Sequence, residues 1–83
     1  MSMTFQIPTM TRYRNRSGRS GIAAFAFMDD GIVVRFADGG TYLYGPTRPG
    51  RHHVGQMKSL AMAGEGLNTY ISRYVREKFE AQL

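Results

Sequence analysis

The residues able to do chemistry fall in a few short stretches. Arg12-Tyr13-Arg14-Asn15-Arg16-Ser17-Gly18-Arg19 sets four guanidinium groups and one phenol within eight positions. Guanidinium groups neutralise phosphates and an aromatic ring stacks on a base, so this stretch has the chemistry of nucleic-acid attachment. The same composition also suits a solvated tail, and the alternation suits an edge strand with outward charges. Arg48, Arg51 and Lys58 form a second basic cluster. His52-His53 is the only histidine pair. Neighbours on a helix point about 100° apart, so the two cannot readily chelate one metal, and no metal site is expected. Asp29-Asp30 is explained by turn chemistry, and a lone lysine on a polar helix face is solvated. Gly39-Gly40 and Gly64-Glu65-Gly66 lack the strand-into-helix setting of a phosphate loop. No catalytic constellation emerges, so the sequence reads as a non-enzyme without a cofactor.

Eighty-three residues make one small domain, whose core is marginal enough for oligomerisation to help. There are no cysteines, which excludes disulfides and thiolate metal sites. No apolar run reaches the ~18–20 residues that span a bilayer, and Met1–Pro8 lacks the pattern of a secretion signal. The expected location is cytoplasmic, away from membranes. The formal charge of +5 is uneven: residues 1–21 carry four arginines and no acid, while the rest carry seven bases and six acids. Residues 1–20, without a sustained period, read as a flexible basic arm, and 21–83 as a single domain.

Within that domain the order is a three-stranded antiparallel meander followed by two helices packed on one face, an α+β fold. Ile22–Met28 and Ile32–Ala37 read as strands joined by the turn Asp29-Asp30-Gly31. Asp38-Gly39-Gly40 turns the chain into a third strand, Thr41–Tyr44. Pro46, Pro49 and Gly50 break it. Val54, Met57, Leu60 and Ala61 then predict a helix over about 51–63, closed by a left-handed Gly64. Asn68 fits as the cap of a last helix whose stripe is Leu67, Tyr70, Ile71, Tyr74, Val75 and Phe79. Arg73–Glu77 and Arg76–Glu80 are spaced to pair along it.

Turn length decides which aromatic residues are inside, since a one-residue slip reverses a strand's faces. Arg35 argues that Ile32, Val34 and Phe36 form the core side. A two-residue loop before Thr41 would send Tyr42 and Tyr44 outward. A three-residue loop, Ala37-Asp38-Gly39 with Gly39 left-handed, would send both inward, and it groups more apolar bulk. The same argument applied to Asp29-Asp30-Gly31 sends Phe25 and Phe27 outward beside Arg35. There they would form a stacking platform, a homodimer face with Val33 and Leu43, or a surface covered by the arm.

Ile32-Val33-Val34-Arg35-Phe36, then Asp38-Gly39 and Tyr42-Leu43-Tyr44, resembles the KTSC domain family, named after the C-terminus of some lysyl-tRNA synthetases. Tyr42 and Tyr44 match its central Tyr-x-Tyr motif. Gly64-Glu65-Gly66-Leu67-Asn68-Thr69-Tyr70-Ile71 is similar to its turn and aromatic-Asn-x-x-Ile segment, with Leu67 in place of the aromatic. The resemblance covers roughly residues 17–76. Phe25-Ala26-Phe27 departs from the Gly-Tyr-Asp-like end of the first strand found in many members. The family includes small free-standing bacterial proteins, and RNA binding is the function usually suggested for it. The resemblance therefore implies a partner of RNA or single-stranded nucleic acid. Phosphate contacts would come from Arg12, Arg14, Arg16, Arg19, Arg48, Arg51 and Lys58, and stacking from Tyr42, Tyr44, Phe25 or Phe27. The alternative is a protein-interaction module or homodimer using the outer sheet face.

Overall fold

The computed structural model describes residues 9–18 and 20–83, so Arg19 and the first eight residues of the expected arm lie outside the described residues. The fold is α+β. Among the described residues its sheet has five antiparallel strands in sequence order: β1 (Thr11–Arg12), β2 (Ile22–Phe27), β3 (Ile32–Phe36), β4 (Thr41–Tyr44) and β5 (Ala81–Gln82). Helix α1 (Arg51–Ala63) and α2 (Leu67–Tyr70), which continues as a π-helical turn over Ile71–Val75, supply the rest. The three central strands and α1 lie where the sequence pattern puts them. The two-residue strands β1 and β5 are additions.

The β3–β4 loop is the three-residue version. Gly39 N–H bonds to Phe36 O at 2.9 Å, Phe36 N–H bonds to Gly40 O at 2.7 Å, and Gly39 has φ +101°. Only glycine takes such a φ without strain. Ile32 then pairs Tyr44 and Val34 pairs Tyr42, so both tyrosines face the helices. Tyr44 is 2% exposed, and Tyr42 packs half-buried against the same core.

The β2–β3 turn differs from expectation. Met28 and Gly31 bond to each other, leaving a two-residue loop, Asp29-Asp30. Gly31 belongs to the ladder: a Cβ there would lie 2.7 Å from the Tyr44 carbonyl oxygen. Phe25 therefore pairs Val34, Phe27 pairs Ile32, and both point toward the helices rather than outward. The register shifts between Ile22 and Ala24, so Ala23 is an extra residue. Such a bulge lets Ile22 join Phe25 in the core despite their odd spacing.

The described part of the expected arm is joined to the sheet. Thr11 pairs Phe25, Arg12 pairs Ala24, and Tyr13 N–H bonds to the carbonyl of the bulged Ala23 at 2.9 Å. Tyr13 is 2% exposed, and its hydroxyl accepts the Leu67 N–H at 3.3 Å. The first turn of a helix has backbone donors without internal partners, so a core tyrosine caps α2 from across the domain. Asn68 is not the cap; Gly66, at φ 84°, holds that position.

Val54, Met57 and Ala61 seat α1 on the sheet, and Gly64 ends it at φ 76° with its N–H on Leu60 O and Ala61 O. Leu67, Ile71 and Val75 seat the second helical segment. Four residues of α-helix turn about 400°, so such a row drifts sideways, and a wider π turn offsets the drift. Arg76 N–H closes that turn on Ile71 O at 2.6 Å, with Arg76 at φ 53°, ψ −119°. The helix thus stops before Glu77 and Glu80 can pair along it, and Glu80 instead accepts the Thr47 N–H at 3.2 Å. Phe79 reaches the core from beyond the helix.

Two stability outcomes follow from these contacts. Tyr13→Phe leaves the buried Leu67 donor without its partner and should lower the unfolding free energy by about 1–3 kcal/mol in urea denaturation. Arg76→Gly removes a strained conformation that glycine adopts freely and should raise it by about 1 kcal/mol, seen as a higher Tm.

Candidate nucleic-acid interface

Strand pairing fixes where the basic segment points. With Tyr13 inside, Arg12 projects on the outer sheet face and Arg14 and Arg16 are exposed beyond the strand. Arg14 lies against Gly64, where an added Cβ would sit 2.5 Å from the arginine's own Cβ. Arg16 N–H bonds to Gly64 O at 2.8 Å, tying the segment to the end of α1. Asn15 organises the turn between them from a left-handed φ of 53°, a conformation asparagine tolerates well. Its carboxamide oxygen accepts the Ser20 N–H at 3.0 Å, and its carbonyl accepts the Gly18 N–H at 2.9 Å.

The result is a polar cleft of about 420 Å³ at the β1–β2 edge, lined chiefly by Arg12, Arg14, Asn15, Ser20 and Ala23. Among the described residues, no carboxylate lines it. A further guanidinium shares the outer face. Arg12 pairs Ala24 and Ala24 pairs Arg35, so both arginines stand in one row across three strands with only a methyl between them. Adjacent strands lie about 4.8 Å apart, which sets the two Cα atoms about 10 Å apart. In the sequence Arg35 marks the solvent face; its place opposite Arg12 depends on a strand too short to show a period.

The second basic cluster is not part of this surface. Arg51 begins α1 and Gly64 follows its end, so the two clusters are separated by the helix's length of about 20 Å. Lys58, expected as a phosphate contact, is engaged within the fold. Its Nζ donates to Met28 O at 2.7 Å and Asp29 O at 3.3 Å, and lies 5.4 Å from the Phe27 ring centroid. That ammonium holds the β2–β3 turn against α1. Arg51 lines a cleft with Asp29 and Asp30, whose charges oppose phosphate. Arg48 is exposed in the loop before α1.

The expected stacking residues are not exposed together. Phe25 is 6% exposed and Tyr44 lies in the core, while Phe27, at 40%, is partly covered by Lys58. Nor is there one apolar patch of Phe25, Phe27, Val33 and Leu43, because the first two face the helices and the others face away. Val33 itself has no exposed surface. The accessible rings are elsewhere. Tyr74, 55% exposed, lies 5.0 Å from Tyr70, which lies 5.7 Å from His53. His53 Nδ1 and the Tyr70 hydroxyl share a hydrogen bond of 2.6 Å. Partial burial, and then the neighbouring Tyr74 phenol, raise the Tyr70 pKa above its ordinary value. The signal for this row is the four-residue spacing of Tyr70 and Tyr74, which equally fits the expected core stripe.

Among the described residues, no group of three or more His, Cys, Asp or Glu is arranged to hold a metal ion, and no helix is long and apolar enough to cross a membrane. Comparison with protein-family models, curated proteins and solved structures gave no match to this chain.

Tyr44 gives the core a pH signature. Burial, and then the Tyr42 phenol, push its pKa from 10.0 up to about 12. The unfolded chain therefore loses this proton first, and stability should fall as pH rises above 10, by up to roughly 3 kcal/mol near pH 12. Thermal melts across that range should show a shallower alkaline limb in Tyr44→Phe.

Proposed function

We propose that this protein is a small, non-catalytic module that binds single-stranded nucleic acid, RNA first of all, as its resemblance to the KTSC family implies. The observation that carries the reading is the acid-free cleft lined by Arg12 and Arg14. Two features support it. The segment is fixed by Tyr13 in the core and by the Arg16–Gly64 bond, so little ordering is left to oppose binding. Arg16 and Arg35 extend the same positive charge, on the loop and across the outer face. Phosphate contacts hold the strand, and sequence preference is weak because such contacts read no bases. The Tyr70–Tyr74 pair, with Tyr74 exposed and Tyr70 half-buried, offers stacking at a separate place.

Fluorescence anisotropy of a labelled oligouridine at several salt concentrations tests this. Each phosphate contact to a single strand contributes about 0.7 to the slope of log K against log salt. Arg12→Gln/Arg14→Gln should therefore lower the slope by about 1.4, and adding Arg35→Gln by about 0.7 more. Melting temperatures should stay near wild type, since these side chains are exposed. Binding no stronger or more salt-sensitive than that of an unrelated basic peptide would sink the proposal.

A further inference from the structure

A second cleft, of about 240 Å³, opens on the helix side of β3 and β4, next to the point where the π turn ends. Its floor is apolar: the buried Tyr44 and Ile71, with half-buried Phe36, Tyr42 and Phe79. The rings pack on one another, with Tyr42 4.7 Å from Phe79 and 5.7 Å from Phe36. Its mouth carries both signs of charge, from exposed Arg76, Asp38 and Glu77.

We propose that this cleft binds a small zwitterion, a free α-amino acid with an apolar side chain. The Arg76 guanidinium takes the carboxylate through its two-pronged donor geometry. Asp38 and Glu77 face the ammonium group, and the ring-lined floor takes the side chain. Each alternative leaves a charge opposed. A nucleotide would bring its phosphate toward two carboxylates, and a simple organic cation would meet Arg76. The volume argues for something this small, because pockets that enclose drug-sized ligands run to about 300–1,000 Å³.

Two backbone features meet at the same rim. Arg76 sits at φ 53°, ψ −119°, which costs a non-glycine residue on the order of 1–3 kcal/mol. It directly follows a π turn, a feature often found at functional sites. Glycine would fold more easily there, so the guanidinium is held at that rim against a backbone cost. This site shares no lining residue with the arginine cleft, and the inference does not rest on the nucleic-acid reading.

The test is an NMR titration of the full chain with free phenylalanine, N-acetylphenylalanine and phenylalanine amide. Free phenylalanine should give saturable shifts confined to Phe36, Asp38, Tyr42, Arg76 and Glu77. Each capped form lacks one charge and should bind about tenfold more weakly or worse. Arg76→Gly should melt higher than wild type and still lose about tenfold or more in affinity, so unfolding cannot explain the loss. No shifts at millimolar phenylalanine overturns the proposal. Equal binding of the capped forms, or unchanged affinity in Arg76→Gly, shows a merely apolar groove and overturns it too.

Discussion

The register between β3 and β4 is the constraint on which the rest of the molecule depends. It is set by one left-handed glycine, Gly39, closing a three-residue loop. A slip of one residue would turn Tyr42 and Tyr44 to the outer face and bring Leu43 inside. In the register observed, Tyr44 becomes one of the largest buried side chains, lying among α1, the π turn and Phe79. Tyr42 becomes the wall between Phe36 and Phe79. The other edge of β4 keeps its own hydrogen-bonding groups, and the chain end returns to satisfy them. Glu80 and Leu83 donate to Leu43 O and Thr41 O, each at 2.8 Å. The Tyr-x-Tyr motif therefore acts mainly through packing: its spacing places two rings on one face of a strand that is paired on both sides.

At the opposite edge of the sheet the corresponding part is Tyr13. It sits in the middle of the most basic stretch of the chain and is nevertheless as buried as Tyr44. Its ring anchors β1, and its hydroxyl meets the first turn of α2. Alternation does the rest, since a strand with one residue inside must present its neighbours outward. Arg12 and Arg14 are thus solvent-facing because Tyr13 is not.

The sequence made the central strands, α1 and its glycine stop legible, because each is long enough to show a period or is bounded by a glycine with one clear task. The faces of β2 were not legible. Parity along Ile22–Phe27 is broken by the bulge at Ala23, and Gly31 resembles a turn glycine although its missing Cβ makes room for the Tyr44 carbonyl. Strands β1 and β5 have two residues each, too few for any pattern. The last helix keeps Leu67, Ile71 and Val75 of its expected stripe, leaves Tyr74 exposed and ends at Val75, because spacing alone does not separate an α turn from a π turn. Of the candidate site, Arg12, Arg14 and Arg16 were readable from composition, whereas the commitment of Lys58 to Met28 O depends on tertiary structure.

Charge is the property that the fold sorts most clearly. The six acids are not spread evenly over the surface. Asp29 and Asp30 stand at the turn beside Arg51 and Lys58, and Asp38 and Glu77 share a cleft with Arg76. Glu80 is bonded to the loop before α1 through Thr47. Each of these bases has an acid close enough to reduce its field, since charges within a Debye length of about 8–10 Å interact through the salt. At the β1 end Arg12 and Arg14 line a cleft with no acid among its described lining residues, although Glu65 follows the Gly64 on which Arg14 packs and Asp38 follows the lining residue Ala37. The overall charge of +5 is therefore unevenly placed, since the described lining of that cleft carries two arginines and no acid. Association with a charged partner responds to the local arrangement of charge as well as to the total, and these two arginines stand on a segment that Tyr13 and the Arg16–Gly64 bond hold in place.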